Sequence, residues 1–129
     1  MENFLSPKQA TTVVIVHDGK ILIGQRVKDD LWELPGGKID ENENPQECAQ
    51  REIEEELNIT ITIERSLGKL SGIYRDIPMD VFGFLATWSG GELQAKVHKD
   101  IQWISPDDIS QYPFIDEDFI FVRKYQESL

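Results

Sequence analysis

The stretch GGKIDENENPQECAQREIEEELNI, residues 36–59, runs from a glycine pair into a segment with four glutamates among five consecutive residues. Asn44 is a good helix cap, Pro45 suits the first helical turn, and Glu47 stands in the capping-box position three residues after the cap. Asn58 predicts the end of the helix, because asparagine tolerates the left-handed backbone found just past many helix ends. These signals predict a helix of about thirteen residues.

The glutamates of this helix are expected to converge on one side of it. At roughly 100° per residue, three of them fall together beside an apolar stripe, and Glu54 points the other way. The stripe is formed by Ala49, Ile53 and Leu57, and the convergent acids are Glu52, Glu55 and Glu56. Converging carboxylates repel one another without a counter-charge, and their oxygens are ligands that Mg²⁺ or Mn²⁺ prefers. The helix alone fits either a metal site or a solvated acidic face paired with surface lysines.

The segment before the helix favours the metal site. Gly36-Gly37-Lys38 is predicted to form a loop whose backbone can approach a metal ion or a phosphate, and Lys38 adds a positive charge for phosphate oxygens. With this segment included, the stretch resembles the Nudix box of the MutT-like Nudix hydrolases. The residues that match the box are Gly37, Glu43, Arg51, Glu52, Ile53, Glu55, Glu56 and Ile59. Asn58 stands where the family has glycine, and we expect it to keep the same positive-φ geometry.

The resemblance implies an α/β fold, the Nudix-type α/β/α sandwich with a central mixed β-sheet. It also implies hydrolysis of a nucleoside diphosphate linked to another group, with Mg²⁺ or Mn²⁺ as cofactor. The metal ligands carried over from the box are the carbonyl of Gly36 and the carboxylates of Glu52, Glu55 and Glu56. Glu52 is the expected general base, Glu55 is a further expected catalytic residue, and Arg51 is expected to orient the carboxylates. Gly37 and Lys38 are expected to bind the substrate phosphates.

Base recognition is predicted near the start of the last helix. MutT-like relatives use a polar residue there to hydrogen-bond the base, and Asp118 occupies that place. Asp118 would accept from a cytosine amino group or a purine ring N–H, or it merely favours the helix dipole together with Asp116. No proline stands where many ADP-ribose pyrophosphatases carry one, which favours a nucleoside triphosphate cleaved to the monophosphate and pyrophosphate. The alternatives are an ADP-ribose or nucleotide-sugar pyrophosphatase and a non-catalytic nucleotide sensor on the same fold.

Composition and net charge limit the kinds of molecule that this protein is expected to bind. The chain of 129 residues is expected to form one Nudix hydrolase domain over residues 1–129. A net charge of −11 repels the backbone of a long nucleic acid, whereas a small nucleotide can bind through a divalent cation. The sequence has a single cysteine, no basic apolar leader and no apolar run of membrane-spanning length. We therefore expect a cytoplasmic enzyme that acts without a membrane, and the sequence does not indicate its oligomeric state.

The other segments predict strands and two further helices. Strands are predicted at residues 11–16, 21–26, 31–34, 59–73, 80–88 and 101–104. Asp18-Gly19 predicts a hairpin turn between the first two strands, and Ser89-Gly90-Gly91 predicts a turn after the fifth. Helices are predicted to begin at Ser105, with Pro106 in the first turn, and to span residues 116–128, where apolar residues recur at helical spacing.

Five residues near the box have further expected roles. Val97 stands where MutT-like chains often carry a glutamate that supplies a metal ligand or base. Asp100 is the expected substitute ahead of His98, or water fills the gap. His98 is otherwise expected to be structural. Cys48 is expected to be a packing residue, and Glu43 either takes part in the site or braces the loop.

Overall fold

A mixed β-sheet lies between two helices in the computed structural model, which describes residues 7–74 and 76–129. The strands are β1 (Lys8–His17), β2 (Lys20–Gln25), β3 (Trp32–Glu33), β4 (Gly36–Lys38), β5 (Ile59–Tyr74), β6 (Ile77–Gly91) and β7 (Asp100–Ile104). The helices are α1 (Pro45–Leu57) and α2 (Asp116–Glu127), and a 3₁₀ helix spans Pro106–Gln111. Residues 1–6, the start of the segment expected to lack a leader, lie outside the described residues.

Strand β1 runs through the middle of the sheet. The strand order is β3-β2-β1-β6-β5, with β4 also paired to β1 and β7 also paired to β2. β1 is parallel to β6 and antiparallel to β2 and β4, so the sheet is mixed as predicted. The turn between β1 and β2 has positive φ at both Asp18 (51°) and Gly19 (75°), which confirms the predicted hairpin.

Each face of the sheet is covered by one helix, which confirms the α/β/α sandwich. Because side chains alternate along a strand, Val13 and Ile15 of β1 pack on the α1 side and Val14 packs on the α2 side. The helices contribute Ala49, Ile53 and Leu57 from α1, and Phe121, Val122 and Tyr125 from α2. Burying each large apolar side chain stabilises the fold by about 1.5–3 kcal/mol, so both helices are held firmly against the sheet. Neither helix is long and apolar enough to cross a membrane.

Two predictions at glycine-rich segments are wrong. Gly36–Lys38 is a short strand, not a loop, and it pairs antiparallel with residues 10–12 of β1. Ser89-Gly90-Gly91 does not form a turn, because it continues β6 in register with the first residues of β5. Glycine pairs favour turns by local preference, but here pairing with a strand distant in sequence overrides that preference.

The two helices predicted after β7 are present. The segment that Ser105 caps is a 3₁₀ helix of six residues, with the Ser105 side chain accepting from the Asp107 amide. The last helix, predicted over residues 116–128, is α2. Its buried side places Asp118 beside β1 and β3, which brings this residue into the site described next.

Candidate active site

Helix α1 begins and ends as predicted. The Asn44 side chain accepts from the Glu47 amide at 2.8 Å, and the Glu47 carboxylate accepts from the Asn44 amide at 2.9 Å, which completes the capping box. Asn58 ends the helix in the left-handed region with φ 61°, and its amide donates to the Glu54 carbonyl at 3.0 Å. An N-terminal cap is worth about 1 kcal/mol, and the two ends together fix where α1 begins and ends.

The glutamates of α1 grade from buried to exposed. The apolar stripe beside them is fully buried, as predicted. Glu56 is buried, the Glu52 side chain is 17% exposed and the Glu55 side chain is 58% exposed. Glu54 is exposed to solvent. The helix therefore presents one carboxylate at the protein interior, one at its border and two at the surface.

Arg51 links these carboxylates to the preceding segment. Its Nη1 donates to Glu52 and to Glu55, each at 3.0 Å, and its Nε and Nη2 donate to the two oxygens of Glu43 at 2.7 and 3.0 Å. Its Nη2 also donates to the Lys38 carbonyl at 3.1 Å. The bonds from Arg51 lower the pKa of Glu43 to about 2, and those carboxylates raise the pKa of Arg51 above its usual value. In this geometry Arg51 can orient the carboxylates of Glu52 and Glu55, and Glu43 can brace the segment that precedes α1.

A negative charge on Glu56 is unfavourable in this arrangement. Burial raises the pKa of its carboxyl well above 4.5, and contact with Glu52 raises it further, whereas the Gly36 backbone lowers it. Adjacent buried carboxyls are stabilised by sharing a proton or by pairing with a cation, and their oxygens suit a hard divalent ion. Within the ranges that the structure describes, no three Asp, Glu, His or Cys side chains already form a metal-binding group. Two of the three convergent α1 carboxylates instead form ion pairs with Arg51, namely those of Glu52 and Glu55.

The glycine pair of β4 allows β1, β4 and α1 to approach closely. A Cβ on Gly36, which has φ 155°, would lie 2.1 Å from the Thr11 carbonyl oxygen. A Cβ on Gly37 would lie 2.4 Å from the Glu52 carboxyl group. The neighbouring backbone therefore requires glycine at position 36, and the Glu52 carboxyl group, where it now lies, leaves no room for a Cβ at position 37. Lys38, which follows them, is exposed.

A cleft extends from the glycine pair to α2. Its walls include Thr12, Arg26, Glu33, Leu34, Gly36, Gly37, Met79, Val81 and Asp118. The Asp118 carboxylate accepts from the Leu34 amide at 3.0 Å and from the Thr12 hydroxyl at 3.4 Å. The structure thus brings the predicted residues Gly36, Gly37 and Asp118 to one cleft. Glu52 lies beside Gly37, and Glu56 is in contact with the Gly36 backbone, whereas Glu55 lines a separate surface pocket with Arg51 and Glu54.

Nearly the whole chain matches one known family, because the NUDIX domain profile aligns with residues 7–125. The chain belongs to the Nudix family. A relative named CTP pyrophosphohydrolase from Escherichia coli (strain K12) is 31% identical over 125 residues, which span 91% of this chain and 90% of the relative. A relative named 8-oxo-dGTP diphosphatase from Buchnera aphidicola is 33% identical over 105 residues, spanning 78% of this chain and 79% of the relative. The solution structure of the E. coli ORF135 protein has a TM-score of 0.85 at 28% identity, covering 95% of this chain and 90% of that chain.

These relatives make the protein a Nudix pyrophosphohydrolase, an enzyme that cleaves phosphoanhydride bonds. The resemblance inferred from the box is therefore confirmed, and so is the MutT-like branch. The match includes Asn58 in place of the family glycine, and its φ of 61° shows that asparagine keeps the expected positive-φ helix end.

Asp100, the expected substitute for the glutamate that Val97 replaces, falls on the face of the sheet away from α1. Val97 is 53% exposed. Asp100 begins β7, and strand alternation places it on the same face as Ile104, which packs on the α2 side of the sheet. The carboxylates of α1 belong to the opposite side, so the expectation that Asp100 joins them receives no support. His98 is buried and bonded to Glu33, which agrees with the structural role expected for it.

Cys48 is buried beneath the Nudix box. Burial raises the pKa of its thiol to about 11, which keeps it neutral and unreactive at physiological pH. Its Sγ lies 3.4 Å from the Thr11 hydroxyl and donates to the Lys38 carbonyl at 3.4 Å. These contacts agree with the packing role expected for it.

Sequence reasoning missed two charged residues of the cleft, Arg26 and Glu33. Glu33 lies between Trp32 and Leu34, which are only 6% and 3% exposed. An acid between two buried apolar residues of a predicted strand points to the other face of that strand. This alternation in the LWELPGGK segment is the signal that would have found Glu33.

Asp118 is expected to make stability depend on pH. Burial raises the pKa of its carboxyl from 3.8 to about 7, although the Leu34 amide opposes this change. The folded protein then holds a proton that the unfolded chain releases, so the free energy of unfolding falls as pH rises from about 4 to about 7. We expect the stability gained by Asp118→Asn over the wild type to be larger at pH 8 than at pH 5 by about 2 kcal/mol. Urea unfolding of both proteins at both pH values measures this, and an equal difference would contradict the raised pKa.

Proposed function

We propose that this Nudix enzyme hydrolyses a nucleoside triphosphate to the nucleoside monophosphate and pyrophosphate, with Mg²⁺ or Mn²⁺ as cofactor. The observation that carries the proposal is that Glu52 and Glu56 of α1 contact Gly37 and Gly36, two glycines that line a cleft together with Asp118. A cleft with acids for a cation beside its glycines and a further polar group for a base on its wall suits a nucleotide. The relative named CTP pyrophosphohydrolase supports this substrate class.

The chain offers oxygen ligands of the kind that a divalent ion requires. Nudix enzymes generally use divalent metals, and we assign the ligands as the Gly36 carbonyl with the carboxylates of Glu52, Glu55 and Glu56. The raised pKa of Glu56 beside Glu52 favours a cation at this point, because positive charge would relieve the repulsion between them. When bound, the ion supplies positive charge that neutralises phosphate oxygens and acidifies the attacking water.

The remaining residues of the box orient and activate the reactants. Glu52 acts as the general base that takes the proton of the attacking water, since it lies at the border of the interior with an oxygen oriented by Arg51. Glu55 shares the same arginine and assists as a ligand and catalytic residue. Gly37 lets the phosphates approach the backbone, and the exposed Lys38 places a positive charge toward them.

Asp118 is proposed to select the base. Its carboxylate faces the cleft with its position fixed by two protein hydrogen bonds, and it can accept from an amino group such as that of cytosine. A wrong base would leave this polar group unmatched, which costs binding energy. Asp118→Ala is therefore expected to reduce the spread of kcat/KM between bases by about tenfold or more. Loss of activity by the same factor for every base would instead make Asp118 structural.

Another pyrophosphatase activity, on ADP-ribose or a nucleotide sugar, competes with this one, and a substrate panel separates the two. Purified enzyme with Mg²⁺ is incubated with the common nucleoside triphosphates, ADP-ribose and UDP-sugars, and kcat/KM is measured for each. The proposal expects the highest value for a nucleoside triphosphate. A preference for ADP-ribose or a nucleotide sugar would assign the alternative pyrophosphatase activity.

A further inference from the structure

Glu33 is a second carboxylate in the nucleotide cleft, and the roles assigned above do not use it. It lies on β3, and its side chain is 28% exposed. It borders the cleft that contains Gly36 and Asp118, and also the adjoining cleft that contains Val97. A nucleotide that occupies the first cleft would therefore lie against Glu33.

Only one of the Glu33 oxygens has a close partner among the described residues. Oε2 lies 2.8 Å from Nε2 of His98. Oε1 lies 3.8 Å from Nη1 of Arg26, which is too long for a hydrogen bond. A carboxylate can accept several hydrogen bonds, so Oε1 retains acceptor capacity.

His98 holds Glu33 in this position. Its side chain is only 3% exposed, and its ring lies where a side chain on Gly24 would lie, since a Cβ there would be 2.6 Å from the ring. Gly24 is the residue that pairs with Glu33 between β2 and β3. His98 Nδ1 is buried without a partner in the described part of the chain. The hydrogen bond from Nε2 to Glu33 is therefore the polar contact that the ring makes within the described residues. A buried nitrogen without a partner costs stability, so losing this bond as well would raise the cost of burying the ring.

We propose that Glu33 determines specificity by accepting a hydrogen bond from the nucleoside through Oε1, and that His98 is the positioning residue that fixes its carboxylate. The inference rests on the nucleotide hydrolysis proposed above. The chemistry that it requires of the substrate is a hydrogen-bond donor. A nucleoside offers such donors as sugar hydroxyls or as an exocyclic amino group of the base.

Steady-state kinetics of Glu33→Met tests this role, because methionine has similar length and no oxygen. The probes are the nucleoside triphosphate preferred in the panel, its 2′,3′-dideoxy form, and the analogue whose amino group is replaced by oxygen, such as UTP for CTP. The wild type is expected to reject one of the two analogues by about 10–100-fold in kcat/KM. Glu33→Met is expected to lose that discrimination through a higher KM for the preferred nucleotide, with kcat within about threefold of wild type.

The analogue that Glu33→Met no longer rejects identifies the hydrogen-bond donor of the substrate. Loss against the dideoxy form assigns a sugar hydroxyl, and loss against the oxygen analogue assigns the base amino group. Glu64→Gln is the matched control, since Glu64 is an exposed acid on β5, and its kinetics should match the wild type.

Two substitutions at His98 separate positioning from packing. His98→Gln keeps a donor for Glu33 and is expected to retain a KM near that of the wild type. His98→Phe keeps a ring without a donor and is expected to raise KM as Glu33→Met does. If both variants changed KM equally, the ring would serve packing alone and the positioning role would be wrong.

The result that overturns the role of Glu33 is equally specific. It is overturned if the wild type rejects neither analogue, or if Glu33→Met keeps the discrimination or weakens all three nucleotides by one factor. Hydrolysis of none of the nucleotides by the wild type would instead overturn the proposed function and this inference with it, and the same assay distinguishes that failure.

Discussion

Glu52→Gln is expected to lower kcat by about 10²–10⁴-fold with saturating nucleotide and Mg²⁺. Glutamine keeps the size of the side chain and an oxygen that can accept from Arg51, which now donates to Glu52 at 3.0 Å. It removes the negative charge and the basicity, so the proton of the attacking water has no acceptor at this position. The rate of pyrophosphate release measures the effect, and thermal unfolding of the variant should stay close to that of the wild type.

Glu54→Gln is the matched control for that variant. It removes one negative charge from the same helix, two residues away, at a position that is exposed to solvent. Its kcat is expected to stay within about twofold of the wild type, because exposed charges contribute little. Near-normal turnover of Glu52→Gln would eliminate Glu52 as the general base. Equal losses in both variants would indicate a general effect of charge.

Gly37→Ala is expected to lower kcat by about 10–100-fold, because the added methyl group would displace the Glu52 carboxylate. The new Cβ would lie 2.4 Å from that carboxyl group, closer than any stable contact. The group it meets is the end of a flexible side chain, so Glu52 moves and the backbone stays in place. We therefore expect lost activity with little lost stability, measured as kcat and as the thermal unfolding midpoint of the same preparation.

Gly72→Ala controls for the loss of a strand glycine. Gly72 lies on β5, and a Cβ there would meet nothing within 4 Å. Its activity should equal that of the wild type. Full activity of Gly37→Ala would show that the position of Glu52 does not limit the reaction. Unfolding of Gly37→Ala would show that the strand, and not the carboxylate, is what the glycine accommodates.

Helix α1 could be predicted residue by residue because its determinants are local. All of them lie in the helix itself or directly at its ends: the cap, the capping box, the buried stripe and the left-handed residue Asn58. The resemblance to the Nudix box added the fold, because the family signature lies in the same stretch. Both were confirmed by the structure and by the relatives.

What could not be predicted depends on pairing between distant parts of the chain. Gly36–Lys38 is a strand only because β1 lies beside it. The hydrogen bond between Glu33 and His98 joins residues 65 apart in sequence. Asp118 was found by resemblance, but its bonds to Thr12 and Leu34 cross 106 and 84 residues. Hydrophobic periodicity and helix-cap residues do not predict such contacts, because the contacts form only when the sheet assembles.

The products formed from nucleoside triphosphates test the proposed reaction most directly. The enzyme is incubated with Mg²⁺ and CTP, and in parallel with the other common triphosphates, and the phosphorus-containing products are identified by ³¹P NMR. The account predicts that the preferred nucleotide yields the monophosphate and pyrophosphate in equal amounts, and that EDTA abolishes the reaction. Formation of the nucleoside diphosphate with orthophosphate, or undiminished turnover in EDTA, would contradict it.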